Sequence, residues 1–488
     1  MSAAPSPPIL RLAELREIEH QSTAPLMERA GAAAAGIASA MLSGASAPPL
    51  IVCGPGNNGG DGFVVARLLR QQGFSPVVAF AGAAEKLPPD ARAAHAAWLA
   101  AGGTCTETIP GQPFALAVDA LFGIGLTRPV EGRFAEIIDR TNAMPCPVLA
   151  LDIPSGLDSE TGKVMGSAIR ADHTATFIAL KPGLLTAAGP DHCGEISVHE
   201  LGLQPAGSGR TVAPSLFGAH LLPRPRDSHK GSFGSVAIIG GAAGMAGAAL
   251  LAGRAALKLG AGRVHVGMLE RLAVDPSQPE LMLRDPHDAI DLATALAVGP
   301  GLGQSPAALE LLRRIASADF SSRPLVVDAD ALNLLAAHPV LLKQLTRRTA
   351  PTLLTPHPAE AARLLGMATE TVQDDRLGHA LELARRCNAH VVLKGCGSVI
   401  ASPDGHWWIN TSGNAGLASA GSGDVLSGIV VALLAQGWPV VEALLAATHL
   451  HGAAADALAA ELGGNVGIAA GELIDAARSI FNRWIAGD

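Results

Sequence analysis

The sequence predicts an α/β protein of two domains, each built around a largely parallel sheet. Short apolar runs repeatedly end in glycine-rich loops that lead into helical segments, which is the order of a βαβ unit. The chain has 488 residues, more than one ordinary hydrophobic core can hold, and 49% of them are hydrophobic. Residues 204–214 are rich in glycine, proline and serine and interrupt every periodic pattern, so we expect a domain boundary near this segment.

The composition excludes several classes of protein. The 35 basic residues are outnumbered by 43 acidic ones, and the net charge of −8 argues against a general nucleic-acid binder. Stacking platforms for bases are not expected either, because the chain has 11 Phe, 5 Trp and no Tyr. The 6 cysteines are scattered without a C-x-x-C pair, which is typical of free thiols in a reducing compartment.

The sequence also predicts where the protein works. The N-terminus lacks the basic stretch and apolar core of a secretion signal, and no apolar run is long enough to span a bilayer. We therefore expect a cytoplasmic protein without membrane contact. We also expect a homo-oligomer, whose number of subunits the sequence does not give.

The first glycine-rich loop follows a predicted strand at residues 50–53. The loop, residues 54–62, contains G-x-G-x-x-G and precedes a predicted helix at residues 63–70, a geometry that places a phosphate at a helix N-terminus. A dinucleotide-binding domain would also carry an acidic residue at the end of its second strand, which we place at residues 76–80. No acid follows that strand, so an ordinary redox domain is not favoured.

Polar side chains stand at several other strand ends of the first half. Asp119 ends one apolar run, Asp152 and Ser155 follow another, and Asn58 lies in the first loop. Because the carboxyl ends of parallel strands meet at one edge of a sheet, we expect a shared site there, although each residue alone is as often a turn or cap residue. Oxygen donors of this kind suit K⁺, Na⁺ or Mg²⁺ better than zinc. Lys181 also follows a strand and could face the same edge, but we favour the interpretation that it is a solvated lysine.

In the second half, residues 414–428 form a loop of small residues that runs into an apolar helix. The start of such a helix presents free backbone N–H groups and positive potential, which together make an anion site. The segment Gly421-Ser422-Gly423 lets the backbone approach a phosphate closely. Asp424, at the helix start, could take a proton from a hydroxyl during phosphoryl transfer. The alternative is a flexible surface turn with a capping aspartate.

Other strands of the second half also end in polar residues. Asp328 and Asp330 follow one strand, His357 follows the next between two prolines, and Lys394 begins a loop of small residues. We expect one long cleft at this edge, in which Lys394 holds nucleotide phosphate. A solvated lysine and a purely structural His357 turn are the alternatives. The chain lacks the G-x-x-x-x-G-K-[ST] loop and the protein-kinase motifs, so neither of those enzyme classes is expected.

Four segments of the first half together resemble the epimerase domain of NAD(P)H-hydrate repair enzymes. They are L-M-E-R-A-G at 26–31, N-N-G-G-D-G at 57–62, D-A-L-F-G-I-G-L at 119–126 and D-I-P-S-G at 152–156. The resemblance implies a Rossmann-like three-layer α/β/α domain over residues 1–208, with Asp152 as a catalytic acid/base. It implies a potassium site made by Asn58, Asp119 and Ser155. It implies contacts with the hydrated cofactor, NAD(P)HX, from Asn57, Asn58, Gly59, Gly60, Asp61, Gly123, Ile124, Gly125, Leu126, Thr127, Arg128, Pro129 and Asp152.

A longer series of segments in the second half resembles the ADP/ATP-dependent NAD(P)H-hydrate dehydratases of the ribokinase-like superfamily. These are H-K-G-S-F-G at 229–234, P-E-L-M at 279–282, V-G-P-G-L-G at 298–303, D-A-D-A-L-N at 328–333, T-P-H-P-A-E at 355–360, N-A-G-L-A-S-A-G-S-G-D at 414–424 and H-L-H-G at 449–452. The resemblance implies a ribokinase-like α/β domain over residues 221–488, joined to the first by a linker at 209–220.

The same resemblance implies the residues of the dehydratase site. Asp424 is the catalytic base. The contacts implied with NAD(P)HX come from Ala248, Gly301, Gly303, His357 and Asp424. Those implied with the nucleotide, ADP or AMP, come from Lys394, Gly395, Cys396, Gly397, Ser398, Gly421, Ser422 and Gly423.

The two resemblances imply one repair pathway. Hydration of the nicotinamide ring puts a hydroxyl on C6 and gives two epimers that no longer donate hydride. The first domain would interconvert the R and S epimers with the help of K⁺. The second, with Mg²⁺, would phosphorylate the hydroxyl of the S epimer, and loss of phosphate would restore NAD(P)H. The implied donor is ADP, giving AMP and phosphate, with ATP as the other possible donor.

Two other functions are compatible with the residues. One is a ribokinase-like small-molecule kinase fused to a nucleotide-binding regulatory domain, which would release a stable phosphate ester. The other is a first domain that only binds a partner, although the intact 57–61 loop and Asp152 argue against a degenerate module.

Overall fold

The structure is a computed structural model that describes residues 6–487. These residues divide into two compact units: a first unit of residues 7–209, and a second unit of residues 210–487 together with Ser6. Each unit has its own sheet and its own hydrophobic core. The prediction of two α/β domains is therefore confirmed.

The first unit contains a seven-stranded sheet in which every neighbouring pair is parallel, in the order β4-β3-β2-β5-β6-β7-β8. The strands of this sheet are β2 (Pro49–Cys53), β3 (Val77–Phe80), β4 (Cys105–Thr106), β5 (Leu116–Ala120), β6 (Val148–Leu151), β7 (His173–Phe177) and β8 (Glu195–His199), and the short strand β1 (Pro8–Ile9) lies outside it. Its helices are α1 (Leu12–Gln21), α2 (Leu26–Met41), α3 (Asn57–Gln71), α4 (Pro89–Ala100), α5 (Arg133–Asn142), α6 (Pro182–Leu185) and α7 (Gly189–Cys193).

Helices cover both faces of this sheet. Ile51 of β2 packs with Phe63 of α3 and with Trp98 of α4 in one cluster, whereas Leu50 packs with Ile138 of α5 in another. Successive residues of a strand point to opposite faces, so the two clusters lie on opposite sides of the sheet. The unit therefore has the three layers that the sequence predicts.

Helix α3 begins earlier than the sequence predicts. We placed residues 57–62 in a loop, whereas α3 starts at Asn57. Its glycines are required by close packing, because a Cβ on Gly59 would lie 2.1 Å from Gly54 O and one on Gly62 would lie 2.6 Å from the Ala120 side chain. Tertiary packing therefore outweighs the low helix propensity of glycine here.

The second unit contains a mixed sheet in the order β9-β18-β17-β16-β15-β14-β13-β10-β11-β12. The pairs from β16 to β12 along this order are parallel, and β16-β17-β18 are antiparallel. The strands are β9 (Gly209–Thr211), β10 (Ser235–Gly240), β11 (Arg263–Met268), β12 (Met282–Arg284), β13 (Ala295–Val298), β14 (Leu325–Val327), β15 (Thr352–Leu354), β16 (His390–Leu393), β17 (Ser398–Ala401) and β18 (Trp407–Asn410). The helices are α8 (Ala246–Lys258), α9 (Pro286–Leu292), α10 (Pro306–Ile315), α11 (Ala329–Ala337), α12 (Pro339–Leu345), α13 (Pro358–Leu365), α14 (Thr369–Asp374), α15 (Arg376–Cys387), α16 (Ser422–Ala435), α17 (Val440–Leu462) and α18 (Ala470–Ala486).

The strand register of this unit places its polar loops at one edge of the sheet. Val298 of β13 pairs with Val327 of β14, which pairs with Leu354 of β15, so these strands end at the same level.

Helix α16 packs closely against α8, since a Cβ on Gly428 would lie 2.2 Å from Ala252 O. Among residues 6–487, no helix is both long and apolar enough to cross a membrane.

Candidate active sites

The first unit has a cavity of about 1160 Å³ at the carboxyl ends of its strands. Its wall includes ten of the predicted NAD(P)HX contacts: Asn57, Asn58, Asp61, Gly123, Ile124, Gly125, Leu126, Thr127, Arg128 and Asp152. Gly59, Gly60 and Pro129 are not part of this wall. The first two face packed neighbours instead, because a Cβ on Gly60 would lie 2.7 Å from the sulfur of Met27.

Asp152 and Lys181 form a buried ion pair in this cavity. Lys181 is 1% exposed, and its ammonium also donates to Thr176 Oγ1 at 2.7 Å and to Phe177 O at 2.8 Å. Asp152 has a φ of +68°, a left-handed conformation that aspartate tolerates better than most residues. The solvated-lysine interpretation was therefore wrong, because burial requires this ammonium to find charged and polar partners.

Asp119, Ser155 and Asn58 form a second polar group at the same edge. Asp119 is buried, and its carboxylate accepts from the Ser155 hydroxyl at 2.6 Å and from the Ser155 N–H at 2.7 Å. Burial raises the pKa of Asp119 to about 6, although these hydrogen bonds act to lower it. The amide oxygen and nitrogen of Asn58 are buried without a hydrogen-bond partner among the described residues.

The turn at residues 122–123 contacts Ser155 through Phe122 and lies next to Asn58 and Asp152 at Gly123. Ser155 Oγ accepts from the Phe122 N–H at 2.7 Å. A Cβ on Gly123 would lie 3.4 Å from both Asn58 Cβ and Asp152 Oδ2. This turn therefore joins the Asp119–Ser155 pair to the unsatisfied Asn58 amide.

Oxygen atoms dominate this part of the site. In the described chain no three His, Cys, Asp or Glu side chains cluster as a metal site. A cation here would depend on amide, hydroxyl and backbone oxygens as well as one carboxylate. That donor chemistry fits a hard cation, and the Asn58 amide oxygen, which has no partner in the described chain, is available as a ligand.

Two other acidic residues, Asp61 and Glu19, line this cavity, and the pKa of each is raised. The pKa of Asp61 is raised well above its usual range by burial, by Asp152 and by Glu19. Burial and Asp152 also raise the pKa of Glu19, while Lys181 and Arg16 oppose that rise. Sequence reasoning missed Glu19, because α1 is far from the glycine loops in the chain and carries no local signal.

In the second unit, Asp424 lies in the first turn of α16. The turn follows Gly421, whose φ of +91° requires glycine. The backbone N–H groups of Gly423 and Asp424 have no hydrogen-bond acceptor in the described chain. Burial and then Asp328 raise the pKa of Asp424, Lys394 opposes the rise, and Asp330 and Glu360 add to it, so that the resulting pKa is about 7.

Lys394 lies next to this turn. A Cβ on Gly423 would lie 3.0 Å from Lys394 Nζ, and Nζ donates to Asp328 Oδ1 at 2.9 Å. Burial acts to lower the pKa of Lys394, but Asp328, Glu360 and Asp424 raise it by more, so the net direction is upward. The lysine is therefore a charged group at the start of α16, and the solvated-lysine alternative is excluded.

The loop of small residues predicted to begin at Lys394 follows β16 in the structure. Gly395 has a φ of +143°, and a Cβ there would lie 2.8 Å from the Arg376 guanidinium beneath it. Arg376 is buried and donates to Leu393 O at 3.2 Å and to Lys394 O at 3.3 Å; burial lowers its pKa to about 10. Ser398 Oγ donates to Gly395 O at 3.1 Å and closes the loop, while Cys396 is exposed. Arg376 supports this loop from below, a role that its helical position does not reveal.

The residues predicted to contact NAD(P)HX in the second unit do not all contact one another. Gly301 packs on α8, where its Cβ would lie 3.1 Å from the side chain of Ala248. The Gly303 N–H donates to Asp330 Oδ2 at 2.8 Å.

His357 caps helix α13. Its Nδ1 accepts from the Ala359 and Glu360 N–H groups at 3.1 and 3.3 Å. Its Nε2 lies 3.2 Å from Glu360 Oε1. These contacts support the alternative that His357 has a structural role, as the cap of this helix. Its contact with NAD(P)HX stays a prediction.

Comparison with known proteins supports the family resemblance of each half of the chain. Residues 23–183 match the family model described as "YjeF-related protein N-terminus", and residues 236–478 match the one described as "NAD(P)H-hydrate dehydratase". The bifunctional NAD(P)H-hydrate repair enzyme Nnr of Escherichia coli (strain K12) is 42% identical over 447 residues, which cover 89% of this chain and 85% of that protein. The chain belongs to the family of bifunctional NAD(P)H-hydrate repair enzymes. The resemblance drawn from the sequence motifs is therefore confirmed.

Solved structures resemble the second unit of this family member. A ribokinase-like superfamily protein from Enterococcus faecalis V583 is 25% identical and covers 58% of this chain and 98% of its own, with a TM-score of 0.50. An ADP/ATP-dependent NAD(P)H-hydrate dehydratase from Bacillus subtilis, co-crystallised with ATP and Mg²⁺, is 31% identical and covers 55% of this chain and 97% of its own, with a TM-score of 0.47. The first of these likenesses agrees with the ribokinase-like fold predicted for this half.

Proposed function

We propose that this repair enzyme epimerises NAD(P)HX in its first unit and dehydrates the S epimer to NAD(P)H in its second, with ADP as phosphoryl donor. We assign the two activities to residues 1–208 and 221–488, joined by residues 209–220. The observation that carries the proposal is the position of Asp424 beside Lys394 at the start of α16, where two backbone N–H groups are unbonded. Such a turn supports phosphoryl transfer to a hydroxyl.

The epimerase step needs a base and an acid around C6 of the hydrate. Asp152 would accept the proton of the C6 hydroxyl as the C6–N bond breaks, which leaves an aldehyde at C6. Burial, Asp152 and Glu19 raise the pKa of Asp61 well above its usual range, which favours the protonated carboxyl group, and Asp61 would give its proton to the departing ring nitrogen. Rotation and the reverse transfers close the ring with the hydroxyl on the other face. Lys181 would hold Asp152 in place throughout.

Potassium would be held by Asn58, Asp119 and Ser155. When bound, the ion supplies a positive charge that satisfies the Asn58 amide oxygen and stabilises the polar strand ends. Asn58 would then have a fixed side chain beside Gly123, on the wall that faces NAD(P)HX. The proposal explains why a polar side chain is retained where the chain offers it no partner.

In the dehydratase step, Lys394 and the amides of Gly421 to Gly423 would hold the phosphates of ADP. Asp424 would take the proton of the C6 hydroxyl while that oxygen receives the β-phosphoryl group, leaving AMP. The ring nitrogen then expels phosphate, and loss of a proton from C5 restores the C5–C6 double bond. Mg²⁺ binds through substrate phosphates and water more often than in an all-protein cage, so it would enter with the nucleotide.

Other proposed contacts follow the same cleft. We propose that residues 395–398 contact the nucleotide and that Ala248, Gly301, Gly303 and His357 contact NAD(P)HX.

We also propose that the protein is cytoplasmic and homo-oligomeric. The cysteines support a reducing compartment, since all six are free of disulfides in the described chain.

The proposal is tested by incubating mixed NAD(P)HX epimers with the protein, K⁺, Mg²⁺ and either ADP or ATP. Recovery of the absorbance of the reduced nicotinamide, together with release of inorganic phosphate, is the expected result. A stable phosphate ester would instead show a ribokinase-like kinase. Chromatography of the epimers in the absence of nucleotide follows the first unit alone, and failure of R and S to interconvert would refute its epimerase role.

A further inference from the structure

Asp328 lies at the end of β14, where three elements of the second unit meet. It is 1% exposed. Its Oδ1 accepts from Lys394 Nζ, which follows β16, at 2.9 Å, and its Oδ2 accepts from Ser427 Oγ, in the second turn of α16, at 2.7 Å. A Cβ on Gly423 would lie 3.9 Å from Asp328 Oδ2, so the carboxylate also approaches the turn that carries Asp424.

We propose that Asp328 is a positioning residue of the dehydratase site, which fixes Lys394 and α16 relative to each other and keeps a negative charge close to Asp424. The inference rests on the base role proposed for Asp424. Asp328 is not a catalytic residue in this scheme, because it acts on the substrate and the nucleotide only through Asp424 and Lys394.

The backbone around Asp328 holds the carboxylate in place. Its N–H donates to Val298 O at 3.0 Å, and a Cβ on Gly299 would lie 1.8 Å from Asp328 O. The next residue, Ala329, has a φ of +49°. A left-handed alanine is unfavourable and persists when the surrounding structure determines it, which is common at functional sites. The position of Asp328 is therefore fixed from both sides.

The charge of Asp328 bears directly on the protonation of Asp424. After burial, Asp328 is the strongest influence that raises the pKa of Asp424. The other charged groups that act on Asp424 come from the neighbouring loops and helices: Asp330 on α11, Glu360 on α13 and Lys394 after β16. His451, on α17, is buried near the start of α16 and has a pKa lowered to about 4, so it stays neutral. Removing the charge of Asp328 should let Asp424 ionise at lower pH.

The test is the pH profile of dehydration in the full-length protein with mixed NAD(P)HX epimers, ADP and Mg²⁺. Asp328→Asn keeps the shape and one acceptor oxygen, replaces the other oxygen with an NH2 donor, and removes the charge. We expect the midpoint of the acid limb to move to lower pH by roughly one unit, and the KM for ADP to rise because Lys394 is no longer fixed. Ser427→Ala is the matched control: it removes one hydrogen bond and leaves the charge, so the midpoint should stay at the wild-type position.

A wild-type midpoint in Asp328→Asn would overturn the inference, even with a slower rate, because a purely structural residue would slow the reaction equally at every pH. Circular dichroism shows whether the variant is folded. If it is not, Asp328→Glu supplies the test: the charge remains, so the midpoint should match wild type while the KM for ADP rises. An unchanged KM for ADP in that variant would also overturn the inference. Absence of dehydration in the wild-type protein would instead refute the proposed function.

Discussion

Replacing Lys181 by methionine tests the buried ion pair of the first unit. Methionine fills the same space but leaves Asp152 without its counter-charge and Thr176 and Phe177 without a donor. Breaking a buried pair costs about 3–5 kcal/mol. The Asp152 side chain is 14% exposed and keeps some contact with solvent, so we take the lower end, about 3 kcal/mol. For a unit of this size, that lowers Tm by roughly 6–12 °C.

Calorimetry of the full-length chain measures this change, and chromatography of NAD(P)HX epimers measures the accompanying loss of epimerase activity. Lys86→Met is the control, because Lys86 is exposed in the same unit and its replacement should leave Tm within about 1 °C. Adding Asp152→Asn to Lys181→Met removes the unpaired charge and should recover part of the lost stability. A wild-type Tm for Lys181→Met, or no recovery in the double variant, would refute the reasoning.

The remaining predictions concern a base, a cation ligand and a close contact. Dehydration should rise about tenfold between pH 6 and pH 8, since the pKa of Asp424 is about 7 and the base must be ionised; a flat profile would contradict its role. Asp424→Asn should abolish dehydration and leave epimer exchange intact, as followed by the two product assays. Asn58→Leu should end the response of epimerase activity to K⁺ without lowering stability in K⁺-free buffer, because it removes a buried amide that lacks partners. Gly59→Ala should destabilise the first unit by more than about 2 kcal/mol in chemical denaturation, because its methyl group would lie 2.1 Å from Gly54 O; a stable variant would show that α3 can shift.

The regular elements were largely predictable because they depend on local patterns. The apolar run at residues 50–53 became β2 with one added residue. The helical pattern of residues 10–43 is interrupted at Thr23-Ala24-Pro25, and this segment separates α1 from α2. The pattern of residues 174–180 predicts a strand that continues to Leu180, whereas β7 ends at Phe177, since Ile178 has a φ of +67° and turns the chain. Apolar character alone does not report such a turn.

The polar network was less predictable than the motifs. A sequence shows that Lys181 and Lys394 follow strands, but it does not show that each forms an ion pair with an aspartate at the end of another strand. Arg376 gave no signal, because two of the groups that it contacts, Leu393 O and Lys394 O, lie far along the chain at the end of β16. These contacts are set by the order of strands in the sheet, which a single sequence does not determine.

The placement of tryptophan gives each unit its own fluorescence signal. Trp98 belongs to residues 7–209, and the other tryptophans, Trp407, Trp408, Trp438 and Trp484, belong to the second unit. Trp98 is 1% exposed, its indole N–H donates to Thr104 O at 3.2 Å, and the chain has no tyrosine emission to mask it. Emission lost on Trp98→Phe substitution therefore isolates the first unit, so its unfolding can be followed optically while the second unit remains attached.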